Sequence, residues 1–202
     1  FNSGGNTIVD VTSVGLARDP QALARISRAT GLNVVMGAGN YVHMSHPPEL
    51  QDLSVEQVAG QIIHDVEQGV GDTGIRSGII GEIGCSWPWH ESEKKVLEAS
   101  VIAQRETGAP LLIHPGRNQR APIDLLNAVE KWGGNLSRTV MGHIERTVYD
   151  RGILNELIGS GAYLNFDLFG HESSFYPLAP DSYIPADHER IEMVEYMVSE
   201  GK

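Results

Sequence analysis

Gly78-Ile79-Ile80-Gly81-Glu82-Ile83 is a short aliphatic run with a single carboxylate set near its end. Its length and β-branched content predict a strand over 78–83, and glycines flank its one charge. A carboxylate inside an apolar strand costs several kcal/mol unless something positive satisfies it. A divalent cation is the strongest such partner; a buried arginine or a set of backbone amides is the alternative.

The same unit repeats on either side. Upstream, a strand over 6–12 leads into a helix that begins near Asp19, carries Pro20 in its first turn and ends at Gly31. A second strand over 33–39 is followed by a loop with His43, His46, Pro47 and Pro48. Ser54, with Gln57 three positions on, then opens a helix running to about Gly69 through a capping box. Downstream come a helix over 91–107, a strand over 111–114, a helix over 122–132, a strand over 139–142 and a helix over 150–158. A strand over 162–167, a Pro-rich loop and a helix over 187–199 complete the chain.

Six strand-helix units require right-handed crossovers and a parallel sheet, which is an α/β fold. Counting alone leaves two architectures, an open doubly wound sheet and part of a (β/α)8 TIM barrel. The polar residues separate them. Glu82, His114, His143 and Asp167 all fall at or near the ends of successive predicted strands. An open sheet gathers its chemistry at one crevice, whereas a barrel presents it from strand after strand, so a partial barrel is expected. Residues 1–202 read as a single incomplete (β/α)8 domain, with two barrel strands expected outside the chain.

Composition excludes several classes of function. The chain has 202 residues, 41% of them apolar and 20% charged, as in an ordinary globular domain. A formal charge of -11 and the lack of any basic run argue against nucleic acid, whose binding depends on clustered Lys and Arg. No apolar run is long enough for a bilayer-spanning helix, so no membrane partner is expected. The lone Cys85 excludes an internal disulfide and points to the cytoplasm. The sequence starts at Phe1 rather than Met, so targeting cannot be read from it.

Among the candidate residues, His114 follows Leu111-Leu112-Ile113, and His143 holds the matching place one unit later, after Thr139-Val140-Met141-Gly142. Either alone reads as a hydrogen-bonded core residue rather than a ligand. Two histidines and a carboxylate on consecutive strand ends form a common catalytic zinc set that leaves a coordination position open. His43, His46, His171 and His188 sit in polar stretches and read as solvated. Gly37-Ala38-Gly39 lacks the third glycine of a dinucleotide fingerprint, and no Gly-x-Ser-x-Gly elbow occurs.

With these residues in view, the chain resembles the phosphotriesterase-related proteins of the amidohydrolase superfamily. The likeness is carried by GIIGEIGCSW at 78–87, IHPGR at 113–117 and TVMGHIERT at 139–147. The resemblance implies a (β/α)8 barrel with two divalent metal ions, expected to be zinc. It implies that Glu82 bridges them, where bacterial phosphotriesterases use a carboxylated lysine, and that His114 and His143 bind the second. Glu82 is accordingly the candidate catalytic residue. The family also needs a His-x-His pair on its first strand and an Asp at the end of its eighth, neither of which lies in this sequence. The 202-residue chain is therefore expected to be inactive by itself.

For the intact protein the resemblance implies that a metal-bridging hydroxide hydrolyses an amide or ester of the N-acetyltaurine or N-acyl amino acid class. The small-molecule substrate is expected to be anionic, with Arg117 as its cation and Trp87, Tyr41 and Phe169 as pocket walls. A homodimer is the assembly left open. Two other readings stand beside this one: a non-catalytic metal-binding or interaction protein derived from the same fold, and an open-sheet nucleotide-binding enzyme.

Overall fold

The computed structural model of the chain describes residues 4–173, 175, 180 and 183–201. Six parallel strands, β1 (Thr7–Asp10), β2 (Asn33–Ala38), β3 (Ile79–Gly84), β4 (Leu111–His114), β5 (Thr139–Met141) and β6 (Tyr163–Leu164), alternate with six helices. The helices are α1 (Pro20–Thr30), α2 (Val55–Glu67), α3 (Glu91–Thr107), α4 (Ala121–Lys131), α5 (Arg151–Gly159) and α6 (Asp187–Ser199). No described helix is long and apolar enough to cross a membrane.

Strand order decides between the two architectures. The sheet runs β1-β2-β3-β4-β5-β6, every neighbour parallel and every neighbour consecutive. A doubly wound sheet reverses its order at the switch point, and this one never does. It is a six-unit arc of a (β/α)8 barrel. The open-sheet reading, and the nucleotide-binding function attached to it, fall with that order.

The helices start and stop where their caps dictate. The Asp19 side chain accepts from Ala22 N at the start of α1, and Gly31 ends that helix in the left-handed region at φ 74°. Ser54 and Gln57 form the capping box of α2, and Asp150 accepts from Ile153 N to begin α5. The core lies between α2, α3, α4 and the central strands. It is built on Val58, Ile62, Ile80, Ile83, Val96, Leu97, Leu111, Ile113 and Met141, each at most 2% exposed. The last strand is shorter than the sequence suggests, covering only Tyr163–Leu164 of the expected 162–167. The extended backbone continues, with Asn165 N donating to Met141 O (2.9 Å) and Asn165 O accepting from Ile144 N (3.2 Å). The Pro-rich loop after it lies largely outside the described residues.

One glycine sets the position of Glu82. Between Ile80 and Ile83 the β3–β4 register shifts, a bulge that re-aims the intervening side chain. Across β2, Glu82 N donates to Val11 O (3.0 Å) and Ser13 Oγ donates to Glu82 O (3.2 Å). That approach is open only because Gly37 has no side chain. A Cβ there would lie 2.0 Å from Gly81 O and 3.1 Å from Val11 Cα, both backbone atoms. Gly37→Ala is expected to destabilise the chain by on the order of 3 kcal/mol, an overpacking cost without a flexible side chain to relieve it. A urea titration that finds no drop in the midpoint would contradict this role.

Candidate metal centre

Three consecutive strands deliver three side chains to one point. Glu82 comes from the bulge in β3, His114 is the last residue of β4, and His143 follows β5 by two residues. His143 has a left-handed backbone, φ 55° and ψ 39°, unusual for a residue with a side chain. Gly142 before it leaves the floor of the site clear: a Cβ there would lie 4.0 Å from Glu82 Oε1 and 3.9 Å from Asp167 Oδ2.

Glu82 Oε1 is 3.1 Å from His114 Nδ1 and 2.9 Å from His143 Nε2, and the two ring nitrogens are 2.8 Å apart. One donor atom from each residue thus lies within 4.8 Å of the others, and among the described residues this is the set able to hold a metal ion. On its far side His143 Nδ1 lies 2.8 Å from Asp167 Oδ1. A carboxylate can only accept, so Nδ1 carries the proton and the neutral ring turns the lone pair of Nε2 towards Glu82 and His114. With both nitrogens unprotonated, the lone pairs of the carboxylate and two imidazoles converge at about 3 Å and repel unless a cation or a shared proton sits among them. The donor set therefore fits a divalent metal. Asp167 orients the histidine as second-sphere carboxylates do in metal sites.

Without metal a proton takes the cation's place. Burial pushes the His143 pKa down, but its bonds to Asp167 and Glu82 outweigh that and raise it above the usual histidine value. Burial dominates at His114, whose pKa is lowered despite the Glu82 contact. Burial would likewise raise Glu82, yet hydrogen bonds from His114 and His143 bring it down to about 2. A depressed carboxylate stabilises the fold above its unfolded pKa and loses that contribution as pH falls through the folded value. For metal-free protein the window runs from about pH 4.5 to about 2, and the loss is on the order of 3 kcal/mol. Acid denaturation of the chelated wild type and Glu82→Gln checks this; equal loss of stability across that window in both would contradict it.

The turn after β5 adds two groups that the sequence left unassigned. Glu145, fully buried, accepts from the backbone N–H of Asp167 (2.8 Å) and Leu168 (2.7 Å), fixing Asp167 beside His143. Arg146, 3% exposed, places Nη2 3.1 Å from His114 Nε2, on the ring edge away from Glu82. Both lie in the 139–147 motif, and the signal for them was their place within a turn of His143.

The four expected pocket residues all follow strand ends, and Tyr41 is in contact with the triad. Its hydroxyl is 3.2 Å from both ring nitrogens of His114. Trp87, 42% exposed, lies on the loop after β3, where its backbone packs on Gly116 so closely that a Cβ on Gly116 would come within 2.5 Å. Arg117, next in sequence, is exposed, and its charge reaches Tyr149. Phe169, 51% exposed, follows Asp167 by two residues, with the Arg190 guanidinium 6.0 Å from its ring centre. His43 and His46 are not solvated as the sequence suggested: His43 bonds Glu93, and His46 bonds Tyr41 O and Ser92 Oγ. His188 is exposed, as expected.

A family model described as the phosphotriesterase family matches residues 1–202. The chain belongs to the phosphotriesterase family. It is 44% identical over 198 residues to a phosphotriesterase-related protein of Nematostella vectensis, and 44% identical over 199 residues to the N-acetyltaurine hydrolase of Homo sapiens. Each alignment covers 98% of this chain and 57% of the relative, so the chain spans little more than half the length of the curated relatives it matches. Among solved structures, a resiniferatoxin-binding protein from Rhodobacter sphaeroides superposes with a TM-score of 0.93 at 36% identity, covering 99% of this chain and 55% of that one. The phosphotriesterase homology protein of Escherichia coli, solved with phosphate in its active site, gives 0.84 at 28% identity, covering 97% and 64%. The family's barrel is thus the fold of this arc.

Proposed function

We propose that the protein to which this chain belongs is a zinc-dependent amidohydrolase that cleaves N-acyl amino acids of the N-acetyltaurine class. The observation that carries the reading is the convergence of Glu82 Oε1, His114 Nδ1 and His143 Nε2, with Asp167 orienting His143 from behind. Two divalent ions are the proposed complement, which Glu82, His114 and His143 would help to hold. Bound there, the metal supplies Lewis-acid polarisation of the scissile carbonyl and a nucleophile at neutral pH.

The chain's own residues do the rest. Glu82 offers the negative charge and the histidines the neutral nitrogens that such a cation needs. Tyr41, whose hydroxyl reaches the edge of His114, is the proposed contact for the acyl end of a substrate. Trp87 and Phe169 stand as further walls, and Arg117 is the proposed partner of the sulfonate or carboxylate, which a guanidinium can hold through paired hydrogen bonds. The chemistry named for the human and other vertebrate relatives, N-acetyltaurine hydrolysis, supports an anionic substrate.

The test uses the protein with its natural ends. Chelation is expected to abolish N-acetyltaurine hydrolysis and zinc to restore it, with Arg117→Ala raising KM for the anionic substrate more than for an uncharged N-acetyl amine. Hydrolysis that survives complete removal of metal would overturn the reading.

A further inference from the structure

A second polar network, outside the triad, centres on Glu93, in the first turn of α3, which is 0% exposed. Its Oε1 accepts from His43 N (2.9 Å), His43 Nδ1 (3.0 Å) and Ser86 Oγ (2.7 Å). Its Oε2 accepts from Ser86 N (2.8 Å) and His90 N (3.2 Å). A helix needs only the last of these from a capping glutamate. The other four bonds reach two loops of the strand-end face: His43 lies two residues after Tyr41, and Ser86 immediately precedes Trp87.

Further contacts tighten the same junction. His46 Nε2 donates to Tyr41 O (2.7 Å), while Ser92 Oγ of α3 lies 3.1 Å from His46 Nδ1 and 2.8 Å from His90 Nδ1. The rings of His43 and His90 stack at 4.4 Å and 11°. Lys95 Nζ donates to the carbonyls of Leu50, Gln51 and Leu53, holding the far end of the Tyr41 loop on the same helix. A Cβ on Gly84 would meet Val42 N at 2.3 Å, so the loop is also seated directly on the end of β3.

We infer that Glu93 is a positioning residue for the substrate gap: its carboxylate ties the loop carrying Tyr41 to the loop carrying Trp87, and the separation so fixed decides which acyl groups reach the triad. A buried carboxylate with five donors resists movement, because losing one donor leaves a charged oxygen both desolvated and short of a partner. The walls it holds are aromatic, suited to the apolar acyl end of a substrate rather than to its anionic end. The inference rests on the amidohydrolase reading for its consequence in selectivity, but the tie between the loops can be read separately.

The experiment compares the zinc-loaded protein with natural ends, wild type, Glu93→Gln and His43→Ala, labelled with meta-fluorotyrosine. The Tyr41 fluorine resonance is assigned by its loss in Tyr41→Phe. Both variants are expected to move or split the Tyr41 signal at unchanged zinc content. Both should also raise the kcat/KM ratio for N-hexanoyltaurine over N-acetyltaurine by at least about fivefold, mainly through KM. His43→Ala keeps the helix cap, so an unmoved Tyr41 signal in that variant would overturn the tie and leave Glu93 as a cap alone. A moved signal with an unchanged acyl ratio would overturn the role in selectivity. A wild type that cleaves no N-acyl amide overturns the hydrolase reading instead, and the fluorine signal then decides the tie by itself.

Discussion

Glu82→Gln, in the protein with its natural ends, is expected to lower kcat/KM for N-acetyltaurine by at least about a thousandfold, some 4 kcal/mol of transition-state stabilisation. Glutamine preserves the size of the side chain and the bulge of β3, so the fold is retained, less stable by the contribution of the carboxylate. What disappears is the charge at the point where His114 Nδ1 and His143 Nε2 converge, at 3.1 and 2.9 Å from Oε1. Two neutral imidazoles without a carboxylate hold a dication far less well, and zinc content should fall along with turnover. The structural alternative, a carboxylate merely satisfied by two histidines, predicts lost stability with no effect on metal. Zinc analysis of variant and wild type, beside an acid-denaturation curve, separates the two. Retained zinc and retained activity would remove Glu82 from the chemistry.

Asp167→Asn carries the second large effect. Asp167 Oδ1 takes the proton of His143 Nδ1 at 2.8 Å, and an asparagine can satisfy that contact with its carbonyl only at the loss of a full negative charge. If its amide turns inward instead, Nδ1 must accept, Nε2 then carries the proton, and the metal-facing lone pair is gone. Loss of such a second-sphere partner typically costs ten- to a hundredfold in metal affinity or activity, and about that loss is expected here. Competition with a fluorescent zinc chelator measures it. Equal affinities for variant and wild type would show that His143 keeps its orientation by other means.

Much of this was legible before the structure. The helices were readable because their caps are written locally: Asp19 with Pro20 and Gly31 around α1, Ser54 with Gln57 at α2, Asp150 at α5. The triad was readable because each member interrupts or ends an aliphatic run that has no other reason to carry a polar group. The choice of barrel over open sheet could be argued only from strand-end chemistry, and strand order then settled it. What stayed hidden lies in contacts distant along the chain. Glu93 sits among Glu91, Lys94 and Lys95 and reads as one more solvated charge on a helix, but its first partner, His43, is 50 residues away. His43 and His46 looked like loop histidines for the same reason. Arg146 and Glu145 were in view within a motif, but the directions of their side chains depend on a turn that opens with a left-handed His143.

The most direct test of the central claim is X-ray absorption at the zinc edge on the zinc-loaded protein. Two imidazole nitrogens at about 2.0–2.1 Å and carboxylate oxygen at about 2.0–2.2 Å are expected, with the imidazole signal reduced in His143→Ala. A spectrum without imidazole scattering, or one that His143→Ala leaves unchanged, would contradict a metal held by Glu82, His114 and His143.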